Sequence, residues 1–481
     1  MKLSDLLFRS GVGVLGEVPD VEVTAVATDS RKVGPGTLFI AQRGSRQDGN
    51  IFADQALASG AVAVITDSLR SASLPRRLMT ASAASCAGEL LRELHGRPDQ
   101  NLKCFAVTGT NGKTTTAFLA EAMFREAGLA PALLSTVVNR WPGHHDDASM
   151  TTPAAVDLWD SIEAAQAAGA KALAMEVSSH ALHQERVAGL RFDAAVFTNL
   201  TRDHLDYHGD FGSYFAAKSL LFTRHLKPDA VAVVNLDDPH GLLLRRQLGE
   251  RVHGFTMESI DAEYRITDLT LTLEGLAFRL EGRDGSLELK SPLLGKVYAQ
   301  NLAGAAIACL HMGLPAEAIV RAAAEVTVPG RCELVRARGL SGIVDYAHTP
   351  DALERLLSGL RPLVPGKLVC VFGCGGDRDR GKRPLMGEIA ARLSDRAIAT
   401  SDNPRSEDPG AIVDEVLAGA PAGSCERVVE RREAICAGAK GLQAGDLLVV
   451  AGKGHEKTQT IGSERHHFDD VEVLRAALEE A

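Results

Sequence analysis

The pattern of apolar and polar positions divides the chain into three blocks. The first block ends near residue 98 and holds three short strand-like pieces, "EVTAVATDSR", "TLFIAQRG" and "AVAVITD". Its last stretch, "HGRPDQN", is polar and is typical of a linker. We therefore predict a mixed α/β N-terminal domain over residues 1–98.

In the second block, residues 99–329, apolar runs alternate with helical patterns. The runs are "CFAVTG", "ALAMEVSS", "AAVFTNL" and "AVAVVNLD", and a strand-rich patch follows at "YRITDLTLTLEGLAFRL". This alternation predicts an α/β fold with a doubly wound, mostly parallel sheet. It restarts after "VPGR" with "GIVDYAH", "KLVCVFGCGGDRD", "RAIATSDNPR" and "DLLVVAGKGHE", which predicts a Rossmann-like α/β domain over residues 330–481.

Glycine-rich and polar residues follow the predicted strands in both α/β blocks. Open α/β sheets bind ligands at the carboxyl ends of their strands. Two such sheets provide two ligand-binding rims, and a cleft between them would suit a reaction that joins two molecules.

Composition and charge narrow the classes of partner. The 481 residues are 45% hydrophobic and 24% charged, and their formal net charge is −10. Nucleic acid is held by many Lys and Arg contacts to phosphate, so this balance argues against it as a partner. The N-terminus makes a poor secretory signal, and no apolar run approaches the length of a membrane span. The eight cysteines are scattered, and we expect a cytoplasmic protein with reduced thiols.

The stretch "TGTNGKTTT" follows an apolar strand and begins a helical pattern. It resembles a phosphate-binding loop, although only two residues separate Gly109 from Gly112, fewer than in the standard form. Lys113 would neutralise the β- and γ-phosphates, and the Thr114 hydroxyl would bind Mg²⁺. An ordinary glycine turn would explain the glycines but not the Lys-Thr pair.

Phosphoryl transfer with magnesium also needs oxygen or nitrogen ligands at the neighbouring strand ends. Glu176 follows an apolar run, and His204 lies among Asp203, Asp206 and His208. Alone, Glu176 is compatible with a helix cap and His204 with a hydrogen-bonded loop residue. Their positions after successive strands beside the loop favour metal binding.

Ten motifs in order resemble those of the Mur ligase family of cell-wall synthesis. They are "GTNGKTT", "TTP", "EVSSHAL", "FTNLTRDHLDYHG", "NLAGA", "PGR", "DYAHTPDAL", "GCGGDRDRGKRPLMG", "DNPR" and "GKGHE". The resemblance spans nearly the whole chain and is strongest to the members that add the third amino acid of the peptide. It implies a three-domain ATP-dependent amide ligase that works through an acyl phosphate, with an N-terminal domain that binds UDP.

The resemblance also implies roles for individual residues. Lys113, Lys218 and His204 would be catalytic, and Lys218 would be carbamylated, although its helical position alone suggests a solvated lysine. Magnesium would be held by Thr114, Glu176, His204 and the Lys218 carbamate. ATP would contact Gly109, Thr110, Asn111, Gly112, Lys113, Thr114, Thr115, Asn301, Arg331, Asp345 and His348. Because Arg331 lies near a domain boundary, we expect domain closure during turnover.

A UDP-muramyl dipeptide is the second expected substrate. "TDSR" and "GSRQ" match the family's uridine-diphosphate region, although serine-arginine turns are also common in surface loops. The residues implied in this binding are Ser30, Ser45, Arg46, Gln47, Thr151, Thr152, Ser178, Gln184 and Arg186.

The motif "DNPR" indicates which amino acid is attached. Asn-Pro is a turn signal, but Arg405 can grip a carboxylate while Asp402 and Asn403 receive an ammonium group. Meso-diaminopimelate has an amino acid head at each end, whereas lysine lacks the second carboxylate. The resemblance implies a diaminopimelate pocket built from Arg378, Asp402, Asn403, Pro404, Arg405, Gly452 and Glu456.

Three other functions remain open at this point. The same ligase could use L-lysine, a P-loop kinase or hydrolase could use the loop alone, and a nucleotide-gated regulatory protein would need no acceptor amine. The expected partners are small molecules only, with no nucleic acid and no membrane, and we expect a monomer.

Overall fold

The computed structural model describes residues 1–44, 47–68, 75–258, 261–283 and 285–481. The chain forms two compact units. The first comprises Met1–Tyr264 and Ala303–Ala322, and the second comprises Arg265–Leu302 and Ala323–Ala481. Among the described residues, no helix is long and apolar enough to cross a bilayer.

A four-stranded parallel sheet opens the first unit. Its strands lie in chain order and are β1 (Ala25–Ala27), β2 (Thr37–Ala41), β3 (Ala63–Thr66) and β4 (Arg77–Met79). Every residue of β2 and β3 is buried, as expected for parallel strands covered on both faces. The helices here are α1 (Leu3–Ser10), α2 (Ala53–Ala58) and α3 (Ala83–Leu94), with short 3₁₀ helices at Ser30–Lys32, Gly49–Phe52 and Pro98–Asn101.

Eight further strands of the first unit form the central part of the fold. They are β5 (Lys103–Thr108), β6 (Pro131–Leu134), β7 (Val138–Trp141), β8 (His144–Asp147), β9 (Ala172–Glu176), β10 (Phe192–Phe197), β11 (Leu226–Asn235) and β12 (Val252–Thr256). Their order is β12-β11-β10-β5-β9-β6-β7-β8, parallel from β12 to β6 and antiparallel at β7 and β8. The helices are α4 (Lys113–Glu126), α5 (Ala155–Ala167), α6 (Ser179–His183), α7 (Leu205–His208), α8 (Phe211–Arg224) and α9 (Pro239–Leu248), with a 3₁₀ helix at Gly249–Arg251.

One hydrophobic core joins the N-terminal sheet to the central strands. It contains Leu6, Leu38 and Leu90 from the N-terminal part together with Trp159 and Phe192 from the central part. The backbones also approach closely, since a Cβ on Gly88 of α3 would lie 2.1 Å from the carbonyl oxygen of Ala188. The two parts of this unit are therefore packed as one body.

The segment predicted as a linker is part of this packing. Residues 98–101 form a 3₁₀ helix in which Pro98 and Asp99 are buried. The Asp99 carboxylate accepts from Arg92 Nε at 3.0 Å. The polar composition of the segment therefore reflects a buried ion pair as well as a connection.

The second unit begins with the strand-rich patch and two helices. The strands are β13 (Tyr264–Thr272), β14 (Gly275–Gly282) and β15 (Gly285–Ser291), and the helices, each of which is divided between the two units, are α10 (Lys296–His311) and α11 (Ala316–Glu325). The three strands are neighbours in the order β13-β14-β15, and β14 and β15 are antiparallel. The chain passes between the two units within β13, α10 and α11.

A six-stranded sheet forms the rest of the second unit. Its strands are β16 (Glu333–Ala337), β17 (Leu340–Asp345), β18 (Leu368–Cys374), β19 (Arg396–Ser401), β20 (Cys425–Arg427) and β21 (Leu447–Ala451), in the order β16-β17-β21-β18-β19-β20. All pairs are parallel except β16 with β17. The helices are α12 (Pro350–Leu360), α13 (Lys382–Leu393), α14 (Pro409–Leu417), α15 (Arg431–Ala439) and α16 (Asp470–Glu480), with a 3₁₀ helix at Arg361–Leu363 and a hairpin of β22 (Thr458–Ile461) and β23 (Glu464–His467).

Two hydrophobic clusters cover the opposite faces of this sheet. Phe372 and Leu357 belong to one cluster, while Val371 and Leu474 belong to the other. Helices on both faces of a parallel sheet confirm the predicted α/β class. The sequence did not predict the antiparallel edge strands, because β8, "HHDD", has no apolar alternation.

Candidate functional site

The phosphate-type loop begins where the buried strand β5 ends. Gly109 has no room for a side chain, because a Cβ there would lie 1.9 Å from Thr198 Oγ1. Gly112 has φ of 87° and precedes the first residue of α4. A residue with a Cβ would be strained in that conformation. The glycines therefore bring the backbone close to its neighbours and direct it into the helix.

Residues that follow β10 hold this loop in shape. The backbone N–H of Thr110 donates to the Asn199 carbonyl at 2.9 Å. That of Asn111 donates to Asn199 Oδ1 at 3.0 Å. Thr198 Oγ1 in turn donates to the Asn111 carbonyl at 2.6 Å, and Asn111 Nδ2 donates to Thr201 Oγ1 at 3.3 Å. The motif "TNLT" thus supports the loop.

Two lysine ammonium groups meet on one carbonyl oxygen of the loop. Lys113 Nζ donates to the carbonyl oxygens of Gly109 and Thr110, both at 2.9 Å. Lys218 Nζ, from α8, donates to the same Gly109 oxygen at 2.8 Å. Lys218 also lies over the Tyr214 ring, 4.4 Å from its centroid. The loop therefore collects positive charge at the N-terminus of α4.

Burial makes the Lys218 ammonium unfavourable. The side chain is 1% exposed. Burial, and then the nearby Lys113 charge, lower the pKa of Lys218 well below its ordinary value, while Asp203 acts weakly in the opposite direction. A solvated helix lysine is therefore ruled out, and the amine is easily held neutral.

Glu176, at the end of β9, is completely buried and does not cap a helix. One carboxylate oxygen accepts from the Thr136 backbone N–H at 2.7 Å, and the other accepts from Thr136 Oγ1 at 3.1 Å. Thr136 Oγ1 also lies within hydrogen-bond distance of Thr151 Oγ1, at 3.1 Å. Thr152 Oγ1 donates to the Glu176 carbonyl at 2.9 Å and accepts from the Ser178 backbone N–H at 3.0 Å. The predicted residues Thr151, Thr152, Glu176 and Ser178 are therefore brought together.

His204 lies at the start of α7 with φ of 52°. Its Nε2 is 3.4 Å from Asp203 Oδ2, and its ring packs edge-on against His180 with 4.7 Å between centroids. Burial lowers the pKa of His204, so the ring tends to be neutral. A neutral imidazole can serve as a metal ligand.

The oxygen atoms of Glu176 and Thr114 are of the types that bind magnesium. Among the described residues, no group of three or more His, Cys, Asp or Glu side chains could hold a metal ion by itself. Magnesium in phosphoryl-transfer sites is held by one or two carboxylates together with phosphates of the substrate, so it needs no such group. Glu176 and the Thr114 hydroxyl, both buried, supply the appropriate oxygen types.

Gln184 and Arg186 form a second polar group beside Thr152. Arg186 donates to Gln184 Oε1 through Nε at 3.0 Å and to the Thr152 carbonyl at 3.0 Å. Gln184 Nε2 and His183 Nδ1 both lie within hydrogen-bond distance of Tyr207 OH, at 3.0 and 2.9 Å. The sequence prediction missed Tyr207, whose only signal was its place in "RDHLDYHG".

The predicted uridine-diphosphate residues lie in the N-terminal part. Ser30 begins a 3₁₀ helix that Asp29 caps by accepting from the Arg31 backbone N–H at 2.9 Å. Hydrogen bonds from Arg31 lower the pKa of Asp29 to about 2. Gln47 is exposed, and its carbonyl accepts from the Gly44 N–H at 2.9 Å. Ser45 and Arg46 lie outside the described residues.

The remaining predicted nucleotide contacts belong to the second unit. Asp345, at the end of β17, accepts from the backbone N–H groups of Cys332 and Ala347, both at 2.8 Å. Burial raises the pKa of Asp345. The Arg331 guanidinium lies over the Tyr346 ring, 4.6 Å from its centroid. The ring of His348 is 4.5 Å from that of Tyr346, and Asn301 is buried within α10.

The predicted amino acid pocket lies at the ends of β19 and β21, the two strands that flank β18 in the six-stranded sheet. Asn403, after β19, donates through Nδ2 to Glu456 Oε2 at 2.7 Å, and Glu456 follows β21. Asn403 Oδ1 accepts from the Thr460 N–H at 2.9 Å. A Cβ on Gly452 would lie 2.8 Å from Asp402 Oδ2. These four predicted residues are therefore adjacent.

The arginines of this pocket differ in their surroundings. Arg405 has φ of 52° and donates through a guanidinium nitrogen to the Gly376 carbonyl at 2.7 Å. Pro404, beside it, is buried. Arg378 is exposed, and its side chain donates to the Asp377 carbonyl at 3.2 Å. Arg405 is therefore positioned by the adjoining loop, whereas Arg378 projects from the rim.

Sequence reasoning missed several buried cations of this unit, among them Arg431 and Lys453. Arg431 forms a completely buried ion pair with Asp470 at 2.7 Å, and it donates to the carbonyls of Ser401 and Ala451, the last residues of β19 and β21. Lys453, in "GKGHE", is also completely buried. Its motif was recognised, but only the flanking Gly452 and Glu456 received roles.

Comparisons with known proteins agree with this geometry. Three family models match the chain: "Mur ligase family, catalytic domain" at residues 22–92, "Mur ligase middle domain" at 107–309, and "Mur ligase, glutamate ligase domain" at 330–454. Together the matches fall in the N-terminal, central and C-terminal parts of the fold.

Similar proteins extend over the whole chain. The chain is 45% identical to the UDP-N-acetylmuramoyl-L-alanyl-D-glutamate–2,6-diaminopimelate ligase of Parasynechococcus marenigrum, covering 99% of this chain and 98% of that protein. It is 46% identical to the ligase of the same name from Synechococcus elongatus, over 96% and 95%. A solved structure of a ligase of that name has 36% identity and a TM-score of 0.75, over 100% and 99% of the two chains.

Proposed function

The chain belongs to the Mur ligase family, and we propose that it is the ATP-dependent ligase that joins meso-diaminopimelate to UDP-N-acetylmuramoyl-L-alanyl-D-glutamate in peptidoglycan precursor synthesis. Identity of 45% over nearly the full length supports the activity. The observation that carries the choice of amino acid is the pairing of Asn403 with Glu456 beside Arg405. This arrangement offers a carboxylate for an ammonium group and a guanidinium for a carboxylate.

The reaction has two steps. An oxygen of the D-glutamate carboxylate attacks the γ-phosphorus of ATP, which forms an acyl phosphate and releases ADP. The neutral amine of diaminopimelate then attacks the acyl carbon, phosphate leaves, and the nitrogen loses a proton. Because the first step transfers a charged group, the protein contributes mainly by positioning and by electrostatic stabilisation.

The loop and its two lysines provide that stabilisation in this proposal. Residues Gly109 to Thr115 surround the phosphates, and Lys113 leaves the Gly109 and Thr110 carbonyls to contact them. Thr114, Glu176, His204 and the Lys218 carbamate would hold Mg²⁺, which would supply charge neutralisation at the phosphates. The buried hydroxyl and carboxylate support this assignment.

Carbamylation of Lys218 belongs to the same proposal. A neutral amine reacts with CO₂, losing a proton and gaining a carboxylate. The burial that lowers the pKa of Lys218 favours the reactive form. The product would replace the second ammonium group on Gly109 with an anion suited to magnesium.

The other substrate contacts follow the predicted sets. Ser30, Ser45, Arg46 and Gln47 would bind the uridine diphosphate, and the group around Arg186 would bind the sugar-peptide. Asn301, Arg331, Asp345 and His348 would contribute further contacts to ATP. We propose domain boundaries at 1–98, 99–329 and 330–481.

Location and assembly are also proposals. Most cysteines are buried as free thiols, which fits a reducing cytoplasm. The net charge of −10 supports small-molecule partners rather than nucleic acid. We propose a monomer, to be checked by light scattering.

The decisive experiment is product analysis by mass spectrometry. The protein is incubated with ATP, Mg²⁺ and the UDP-muramyl dipeptide, with meso-diaminopimelate and L-lysine as competing acceptors. We expect only the diaminopimelate amide, with phosphate release that requires all substrates. A lysine amide would change the acceptor assignment, and ATP hydrolysis without an amide product would contradict the ligase.

A further inference from the structure

Lys453 lies immediately behind the predicted amino acid pocket. Its side chain is completely buried, two residues after the end of β21. The ammonium donates to the Thr458 carbonyl at 2.7 Å, and it also reaches Asn403 Oδ1 at 3.4 Å and Glu456 Oε2 at 3.5 Å. One cation therefore contacts both side chains of the Asn403–Glu456 pair.

These contacts determine how the Glu456 carboxylate is oriented. The Asn403 amide and the Lys453 ammonium both approach Oε2. The Glu456 side chain is 33% exposed, so it has one end in the protein and one toward solvent. Oε2 is thus held by two protein groups, while a third of the side chain stays exposed.

A buried ammonium needs compensation, and here Glu456 provides the negative charge. Removing either partner would leave the other poorly compensated. The charge pair and the hydrogen bond to Asn403 thus depend on one another.

Arg431 provides an instructive contrast within the same unit. It is equally buried, but its partners are the Asp470 carboxylate and two backbone carbonyl oxygens. Arg431 therefore fixes strand ends, whereas Lys453 touches two side chains that the ligand would meet.

We propose that Lys453 is a positioning residue for the acceptor amino acid, which it serves by fixing Asn403 and Glu456 to receive an ammonium group. This inference rests on the proposed function, since it concerns the same pocket. Lys453 does not touch the reacting atoms. It should affect capture of the acceptor more than the chemical step.

The test is steady-state kinetics of Lys453→Met, Lys453→Arg and a matched control, Lys457→Met, an exposed lysine of the same loop. We expect Lys453→Met to raise the Michaelis constant for meso-diaminopimelate about tenfold, with a smaller change in kcat and none in the Michaelis constant for ATP. Lys453→Arg should show an intermediate value, and Lys457→Met should match the wild type. An unchanged Michaelis constant for the acceptor in Lys453→Met, or an equal change for ATP, would overturn the inference.

A double-mutant cycle with Glu456→Gln tests the route of the effect. If Lys453 acts through Glu456, the double variant should resemble Glu456→Gln alone, whereas additive effects would overturn the inference. If Lys453→Met does not fold, the same cycle is run with Lys453→Arg. A wild-type protein that makes no amide would overturn the proposed function and this inference together, whereas an active wild type with an unaffected Lys453 variant would overturn the inference alone.

Discussion

The basic side chains in the loop that follows β5 have different partners from those near the loops that follow β19 and β21. In the first, the Lys113 ammonium and the buried Lys218 amine both donate to the neutral carbonyl oxygen of Gly109. In the second, Lys453 is paired with Glu456, and Arg431 behind it is paired with Asp470.

This difference matches the charges of the two proposed ligands. ATP is a polyanion, and an ammonium group that donates to carbonyl oxygens, as Lys113 does, can exchange these bonds for stronger charge-assisted bonds to phosphate. Diaminopimelate carries two ammonium and two carboxylate groups, and a pocket with paired charges can complement both signs. The partners of the basic side chains thus distinguish a site suited to a polyanion such as ATP from a site suited to a ligand that carries both positive and negative groups.

The substitution with the largest expected effect is Lys113→Met. Loss of this ammonium should reduce kcat about 1000-fold, because one preorganised donor to transition-state charge is worth roughly that factor. Product formation at saturating substrates provides the measurement. Lys171→Met, at an exposed position just before β9, is the matched control and should retain wild-type activity.

An active Lys113→Met variant would contradict the phosphate role of the loop. If its Michaelis constant for diaminopimelate changed more than kcat, the two regions would not be functionally separate. The comparison would then have to be abandoned.

Arg405→Ala tests the second region. We expect the Michaelis constant for meso-diaminopimelate to rise about 10- to 100-fold, because a charge-assisted pair with a carboxylate is lost. The Michaelis constant for ATP should stay unchanged, and Arg475→Ala, an exposed position on α16, should resemble the wild type. An unchanged value for the acceptor would remove Arg405 from the pocket.

The sequence predicted the parallel sheets well because their buried strands read as continuous apolar runs. Strand β18, "LVCVFGC", is buried at every position. The polar edge strand β8 and the hairpin of β22 and β23 lack such a run. Their positions depend on pairing with neighbours, which local composition does not encode.

For the candidate site, the sequence indicated some residues through their motifs but did not indicate the burial or the partners of others. Motif positions located Lys113, Glu176 and Asn403, but burial of Lys218 could not be derived from its amphipathic surroundings. Arg431 was missed because its partner Asp470 is 39 residues away. Such long-range pairing is visible only once the chain is folded.

Lys218→Ala should lower activity about 10-fold, less than the Lys113 variant, because other groups can replace part of a ligand's effect. Added acetate should partly restore turnover by supplying a carboxylate in the vacated space. The wild type with the same acetate, and the variant with chloride at equal ionic strength, are the controls. Full activity of the variant without acetate would exclude the carbamate from the mechanism.

The smallest expected effect concerns how the stability of the structure around α8, the helix that carries Lys218, depends on pH. His225 follows α8, the helix that carries Lys218, and its backbone carbonyl accepts from the Phe192 N–H of β10 at 2.8 Å. Burial lowers the pKa of His225 to about 4 from its ordinary value of 6.5. The unfolded chain therefore binds a proton that the folded chain excludes between these values, and the free energy of unfolding falls as pH decreases from 6.5 to about 4.

His225→Gln cannot take up this proton, so its unfolding free energy should fall less steeply, by up to about 1.4 kcal/mol per pH unit. Urea unfolding at several pH values gives these slopes, with the exposed His145→Gln as control. Equal slopes for His225→Gln and the wild type would show that this imidazole does not make the scaffold of Lys218 sensitive to acid.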